Sequence, residues 1–179
     1  MLYAFGFGRI GVLVSDLYFV DPNPGHGQDG AERGVRLEVR MLEQGELKGN
    51  FYSARPIEVG RPVWRADLLE AADGPPGSLN RAHHHPAFDG WNPGRRVFDQ
   101  DLSASPVQWV GDALSDLEGL LDRAGVQADE SFKADAESLR ECVPEIMTTV
   151  GRLLDKVKAG ELATPPGDEL LSSARISWL

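Results

Sequence analysis

The chain has 179 residues, of which 41% are hydrophobic and 26% charged, the proportions of one ordinary globular domain with enough apolar material for a core. Its net charge of −10 disfavours duplex DNA and membrane surfaces as partners, and no apolar run approaches the roughly 20 residues that a membrane span requires. The single Cys142 excludes an internal disulfide, so a reducing, cytoplasmic location is expected.

Strand patterns dominate the first hundred residues. The apolar start and the dense run at residues 8–21 predict a well-buried first strand. Residues 35–43 alternate apolar and charged side chains, which is typical of a half-exposed antiparallel strand. Residues 51–72 contain one or two further strands, in which Pro56 and Pro62 restrict the first part to edges or bends.

Helix patterns replace strand patterns after residue 100. The serine–proline pair at 105–106 predicts a helix start, and apolar residues then recur every three or four positions up to Gly125. A second helix is predicted over 129–160, and Pro144 is expected to bend or break it. Because only a few residues join the two helices, we expect them to be antiparallel neighbours.

Strands followed by helices predict a single α+β domain over 1–179. In this prediction, an antiparallel sheet from about residue 9 to 100 is covered by a helical hairpin at 105–160. Residues 161–179 are expected to form a linker and a terminal segment that docks its apolar side chains, which are Ile176, Trp178 and Leu179.

Three adjacent histidines lie in the sequence NRAHHHPAF, residues 80–88. In an extended segment, Arg81, His83 and His85 share one face, while the middle histidine points the opposite way. On the preceding strand, Arg65 and Asp67 also share a face. Pairing of the two strands across the intervening turn would therefore bring two imidazoles, two guanidiniums and one carboxylate together.

Such a cluster could catalyse phosphoryl transfer without a metal or another cofactor. His83 or His85 could act as acid or base near neutral pH, with Asp67 as the orienting carboxylate. Arg65 and Arg81 could stabilise the developing phosphorane. This hypothesis describes a toxin-like ribonuclease or phosphodiesterase, with RNA or a small phosphate-containing ligand as its partner.

The same residues permit two other interpretations. His83 and His85 have the spacing of metal ligands on a strand, and Asp67 or Glu70 could supply a third ligand. Alternatively, the segment is an edge strand that carries polar residues into solvent, with Trp64 as ordinary core.

A second basic segment, GWNPGRRVFD, spans residues 90–99. A turn there presents Arg95 and Arg96 near Trp91, an arrangement that can hold a phosphate or stack a base. The commoner role is ion pairing, and we expect it here. The acids available nearby in the sequence are Asp89, Asp99 and Asp101.

The helical region is strongly acidic, with seven basic and sixteen acidic residues from position 99 onward. A negative helix face could capture a basic partner through electrostatic steering, or it could simply be solvated. The acids assigned to this face are Asp112, Asp116, Glu118, Asp122, Glu130, Asp135, Glu137, Glu141 and Glu145. Our leading functional hypothesis from sequence is therefore a protein-binding module or a homo-oligomer that associates through the helices.

Overall fold

A computed structural model describes residues 1–26, 28–47, 49, 56–127 and 129–166, and within these ranges the chain is an α+β domain. A five-stranded antiparallel sheet has its strands in chain order. The strands are β1 Leu2–Gly6, β2 Ile10–Val20, β3 Ala31–Gln44, β4 Ile57–Ala71 and β5 His83–His85. A small hairpin follows, formed by β6 Phe88–Asp89 and β7 Asn92–Pro93. The helices are α1 Gln100–Ala104, α2 Pro106–Ser115, α3 Leu117–Arg123 and α4 Glu130–Lys158.

The apolar start of the chain forms two strands rather than the single strand predicted, so the sheet begins well before residue 9. A tight turn joins β1 to β2, with the backbone N–H of Phe7 donating to the carbonyl of Ile10. Asp135 of α4 accepts hydrogen bonds from three successive backbone N–H groups in this turn, at residues 8–10. Asp135 is only 4% exposed, so its assignment to an exposed acidic face was wrong.

Close approach of β3 and β4 aligns the two strands that carry the site. A Cβ added at Gly34 would lie 2.0 Å from the carbonyl oxygen of Leu68, so only glycine fits there without a shift of the backbone. Further along, Pro62 lies at an irregularity in the pairing of these strands, as its missing N–H requires. The register between these two points places Arg36 opposite Asp67.

The helical layer confirms the start at Pro106, although the Ser105 side chain makes no cap hydrogen bond and an unpredicted short helix, α1, precedes α2. The first predicted helix is divided at Asp116, whose side chain accepts from the N–H of Gly119 and caps α3. Of the predicted bend or break at Pro144, the break does not occur, because α4 runs through this residue without interruption. Pro144 lies on the exposed side of the helix, where water can satisfy the carbonyl that loses its partner.

One face of the sheet and the inner sides of the helices form the hydrophobic core. The sheet therefore covers the apolar stripe of the long helix. The fully buried sheet residues of this apolar face are Ile10, Val12, Val14, Val35, Leu37, Val39, Trp64, Ala66 and Leu68. Trp64 packs against Trp109 of α2 with their rings 6.2 Å apart. No helix in the described ranges is long and apolar enough to cross a membrane, and the terminal residues predicted to dock, Ile176, Trp178 and Leu179, lie outside those ranges.

Candidate functional site

The opposite face of the sheet carries charged and imidazole side chains. The register of β4 with β5 pairs Asp67 with His83 and Arg65 with His85, which confirms the predicted juxtaposition of the two strands. Side-chain alternation also holds, because His84 lies on the other face against the Trp109 ring, 4.8 Å between centroids.

Asp67 is at the centre of this cluster and is 1% exposed. The Arg36 Nε atom lies 2.7 Å from Oδ1, and the Arg65 Nε atom lies 3.0 Å from Oδ2. Burial by itself raises the pKa of Asp67, but the positive charges of Arg36 and Arg65 act against it, and this pKa lies well below its usual range. Asp67 is therefore an ionised carboxylate inside the protein.

Backbone carbonyls fix the orientation of both imidazoles. The Nδ1 atom of His83 lies 2.8 Å from the carbonyl oxygen of Arg81, and Nδ1 of His85 lies 2.7 Å from that of Gly94. A carbonyl oxygen only accepts, so each ring donates through Nδ1, and in its neutral form carries its lone pair on Nε2. The two Nε2 atoms lie 3.3 and 3.6 Å from the same oxygen, Oδ2 of Asp67.

The two Nε2 atoms differ in their further contacts. Arg65 Nη2 lies 2.9 Å from Nε2 of His85, and burial lowers the pKa of His85, so this ring is neutral and accepts from the guanidinium. Nε2 of His83 is buried without hydrogen-bond geometry to any partner among the described residues, despite its 3.3 Å distance to Asp67. The Arg65 Nε atom is in the same situation. Buried polar atoms without a bond are uncommon and each requires an explanation; Nδ1 of His84, on the opposite face, is a third such atom among the described residues.

Two residues proposed from sequence lie elsewhere. The Arg81 guanidinium is 3.5 Å from the Asp29 carbonyl and lines a separate cavity with His26 and Phe98, so Arg81 contributes its backbone carbonyl to the cluster. Glu70, the alternative third metal ligand, pairs with Arg33 at 3.0 Å and accepts from the backbone N–H of Gly77. As its carboxylate oxygens bond there, it does not join the two histidines.

The remaining three groups have the arrangement of a metal site. One ligand atom from each of Asp67, His83 and His85 can be chosen so that all lie within 4.8 Å of one another. A tetrahedral ion bound at about 2.0–2.1 Å would separate its ligand atoms by about 3.3–3.4 Å. The observed oxygen-to-nitrogen distances of 3.3 and 3.6 Å are close to this value.

A cavity of about 310 Å³ adjoins the cluster. Asp67 and His85 line it, together with three arginines from different parts of the chain, which are Arg36, Arg65 and Arg96. A second acid, Asp21, and apolar side chains complete the lining, among them Phe19 and Pro93.

Sequence reasoning missed Arg36 and assigned the wrong partners to Arg96. Arg36 belongs to the polar face of the alternating strand, and a known register would have placed it beside Asp67. Arg96 pairs with Asp21 at 3.2 Å and with Glu32 at 3.0 Å, acids that are distant in sequence. Asp99, one of the acids expected to pair with Arg96, instead caps α1. Trp91 was expected near Arg95 and Arg96, but its ring lies beneath the Arg40 guanidinium.

Comparisons with protein-family models, with curated proteins and with solved structures give no match to this chain. The function proposed below is therefore argued from the site alone.

Proposed function

We propose that the protein binds a divalent transition-metal ion, with Asp67, His83 and His85 as its ligands. One observation carries the proposal. Both imidazoles are fixed by carbonyl groups so that their Nε2 atoms converge on one carboxylate oxygen. Lone pairs that face a carboxylate repel it unless a proton or a cation lies between them. A hydrogen bond from Nδ1–H to a carbonyl is also the usual contact that orients a metal-bound histidine.

The ligand types narrow the choice of ion. Two imidazoles with one carboxylate suit Zn²⁺ and other first-row transition metals, whereas Mg²⁺ prefers oxygen ligands. Three protein ligands leave a further coordination position for water or a small molecule, as in catalytic rather than structural sites. Asp67 and His85 both line the cavity, and this supports an ion whose open position is accessible from there.

Arg65 is the competitor that an incoming ion must displace. Its Nη2 atom occupies the lone-pair side of His85, and its positive charge repels a second cation next to Asp67. Glu38 lies 3.9 Å from the Nη1 atom of Arg65 and offers the guanidinium an alternative partner. Metal binding is thus coupled to withdrawal of Arg65 from His85 towards Glu38. Removal of the guanidinium should tighten metal binding.

Calorimetric titration of tag-free, chelator-treated protein with ZnCl₂ tests the proposal. We expect one Zn²⁺ per chain, and His83→Ala should weaken binding by at least about 100-fold. Arg65→Met, which keeps an apolar stem but no charge, should tighten binding by at least about tenfold. His84→Ala is the matched control, since His84 is in the same strand on the opposite face, and it should bind Zn²⁺ like the wild type.

Two outcomes would overturn metal binding. One is the absence of stoichiometric Zn²⁺ in both the wild type and Arg65→Met. The other is an equal loss in His83→Ala and His84→Ala, because binding would then depend on the fold rather than on the proposed ligands.

The two other hypotheses from sequence stay predictions. The Nδ1 atom of each ring is bonded to a carbonyl and each Nε2 atom lies next to Asp67, so we expect chelator-treated protein not to cleave RNA. Cleavage that is lost in a His83→Ala, His85→Ala double variant would favour the metal-independent nuclease instead. Association through the acidic helices predicts a dimer or a complex, and light scattering of the purified chain measures its mass.

A further inference from the structure

Three guanidiniums converge on the 310 Å³ cavity from three separate parts of the fold. Arg36 belongs to β3, Arg65 to β4, and Arg96 to the segment between β7 and α1. The guanidinium of Arg96 also lies over the Phe19 ring, 5.7 Å from its centroid, which fixes its position at the cavity wall. Two carboxylates, Asp21 and Asp67, line the same cavity, so arginines outnumber acids in its lining although the protein has a net charge of −10.

The acids that pair with these arginines leave donors for a ligand. A guanidinium has five N–H groups, and one carboxylate uses at most two of them. Arg36 engages Asp67 through Nε and Nη2, and Arg96 engages its acids through Nη1 and Nη2. Further N–H groups on each side chain can therefore bind an anion while the ion pairs persist.

We propose that this cavity binds a small molecule that carries a phosphate monoester. A phosphate has three terminal oxygens and a double charge, so it can engage guanidiniums from several directions, whereas a carboxylate has two coplanar oxygens. The organic part of the ligand packs against the apolar lining, which consists of Phe19, Pro22, Leu69 and Pro93. A cavity of this volume lies at the small end of the range for ligand pockets.

Phosphate binding does not depend on the proposed metal ion, because the arginines are present in the metal-free protein. Asp67 and His85 line the same cavity, so a bound phosphate lies beside the proposed metal ligands. If both sites are occupied, the bound phosphate ester would lie next to the metal ion.

Titration with phenyl phosphate, in the presence of a chelator and at low ionic strength, tests this inference separately from metal binding. We expect wild-type protein to bind phenyl phosphate at least about tenfold more tightly than benzoate, which has a carboxylate in place of the phosphate. Inorganic phosphate should bind more weakly than phenyl phosphate, because it makes no apolar contacts.

Arg96→Gln should weaken phenyl phosphate binding by at least about tenfold, and Arg96→Lys should restore it only in part, because lysine lacks the fork of donors. Arg33→Gln is the matched control: Arg33 is a similarly buried, ion-paired arginine on β3 that does not line this cavity. Circular dichroism of each variant checks the fold, and a Zn²⁺ titration of Arg96→Gln should give the wild-type affinity.

Absence of phenyl phosphate binding by the wild type would overturn the inference, as would equal affinity for benzoate or equal losses in Arg96→Gln and Arg33→Gln. Wild-type protein that binds phenyl phosphate but does not bind Zn²⁺ would count against the metal proposal alone.

Discussion

Both faces of the sheet contain side chains that are almost inaccessible to solvent, but these side chains are stabilised in different ways. On one face, Leu37 and Trp64 are essentially inaccessible, and their stabilisation comes from removal of apolar surface from water, which depends little on direction. On the other face, Asp67 and His83 are each 1% exposed, and their burial is favourable only with partners at specific distances and angles. The apolar face therefore supplies stabilisation that depends little on direction. The charged face is stabilised only through its specific pairs.

The largest effect on stability should come from the apolar face. Trp64→Ala removes a fully buried ring that stacks on Trp109, and we expect a loss of about 3–5 kcal/mol in the free energy of unfolding. Urea titration measures this loss. Zn²⁺ stoichiometry under native conditions should stay at the wild-type value, and a parallel loss of metal binding would break the proposed separation between the two faces.

Coupling between side chains should be smaller but specific to the charged face. Asp67→Asn and Arg36→Met each leave a buried partner without its counter-charge, so the double variant should lose less stability than the two single variants combined. We expect an interaction energy of about 1–3 kcal/mol from a double-mutant cycle in urea, measured without metal. Additive effects would indicate that the ion pair at 2.7 Å contributes nothing beyond its separate members.

The smallest effect should be a gain in stability away from both faces. Pro144→Ala restores a helical hydrogen bond on the exposed side of α4, and we expect the protein to gain about 1 kcal/mol, the net contribution of one such bond. Thermal unfolding measures the change, and affinities for Zn²⁺ and phenyl phosphate should be unaffected. A decrease in stability would show that the proline ring makes a favourable contact in the folded state.

The centre of the charged face could be predicted from sequence because it depends on local rules. Side-chain alternation puts His83 and His85 on one face, and the turn residues after β4 predict that this strand pairs with the histidine segment. Arg65 and Asp67 were found in this way. The carbonyl groups that orient the rings could not be found, since Gly94 reaches His85 through a loop.

Arg36 and Arg96 required information that is not local. The register of β3 against β4 is shifted by an irregularity near Pro62, so the turn between the strands does not fix it. Arg96 meets Asp21 and Glu32 only because two loops fold over the same end of the sheet. Similarly, the continuity of α4 through Pro144 reflects tertiary packing of the helix against the sheet, which outweighs the local penalty of proline.

X-ray absorption spectroscopy at the zinc edge tests the central claim most directly, because it reports which atoms surround the ion. For protein loaded with one equivalent of Zn²⁺, we predict two imidazole nitrogens and a carboxylate oxygen at about 2.0–2.2 Å, with one imidazole lost in His83→Ala. A zinc ion surrounded by oxygen alone, or an imidazole count that His83→Ala leaves unchanged, would contradict the assignment of Asp67, His83 and His85 as a metal site.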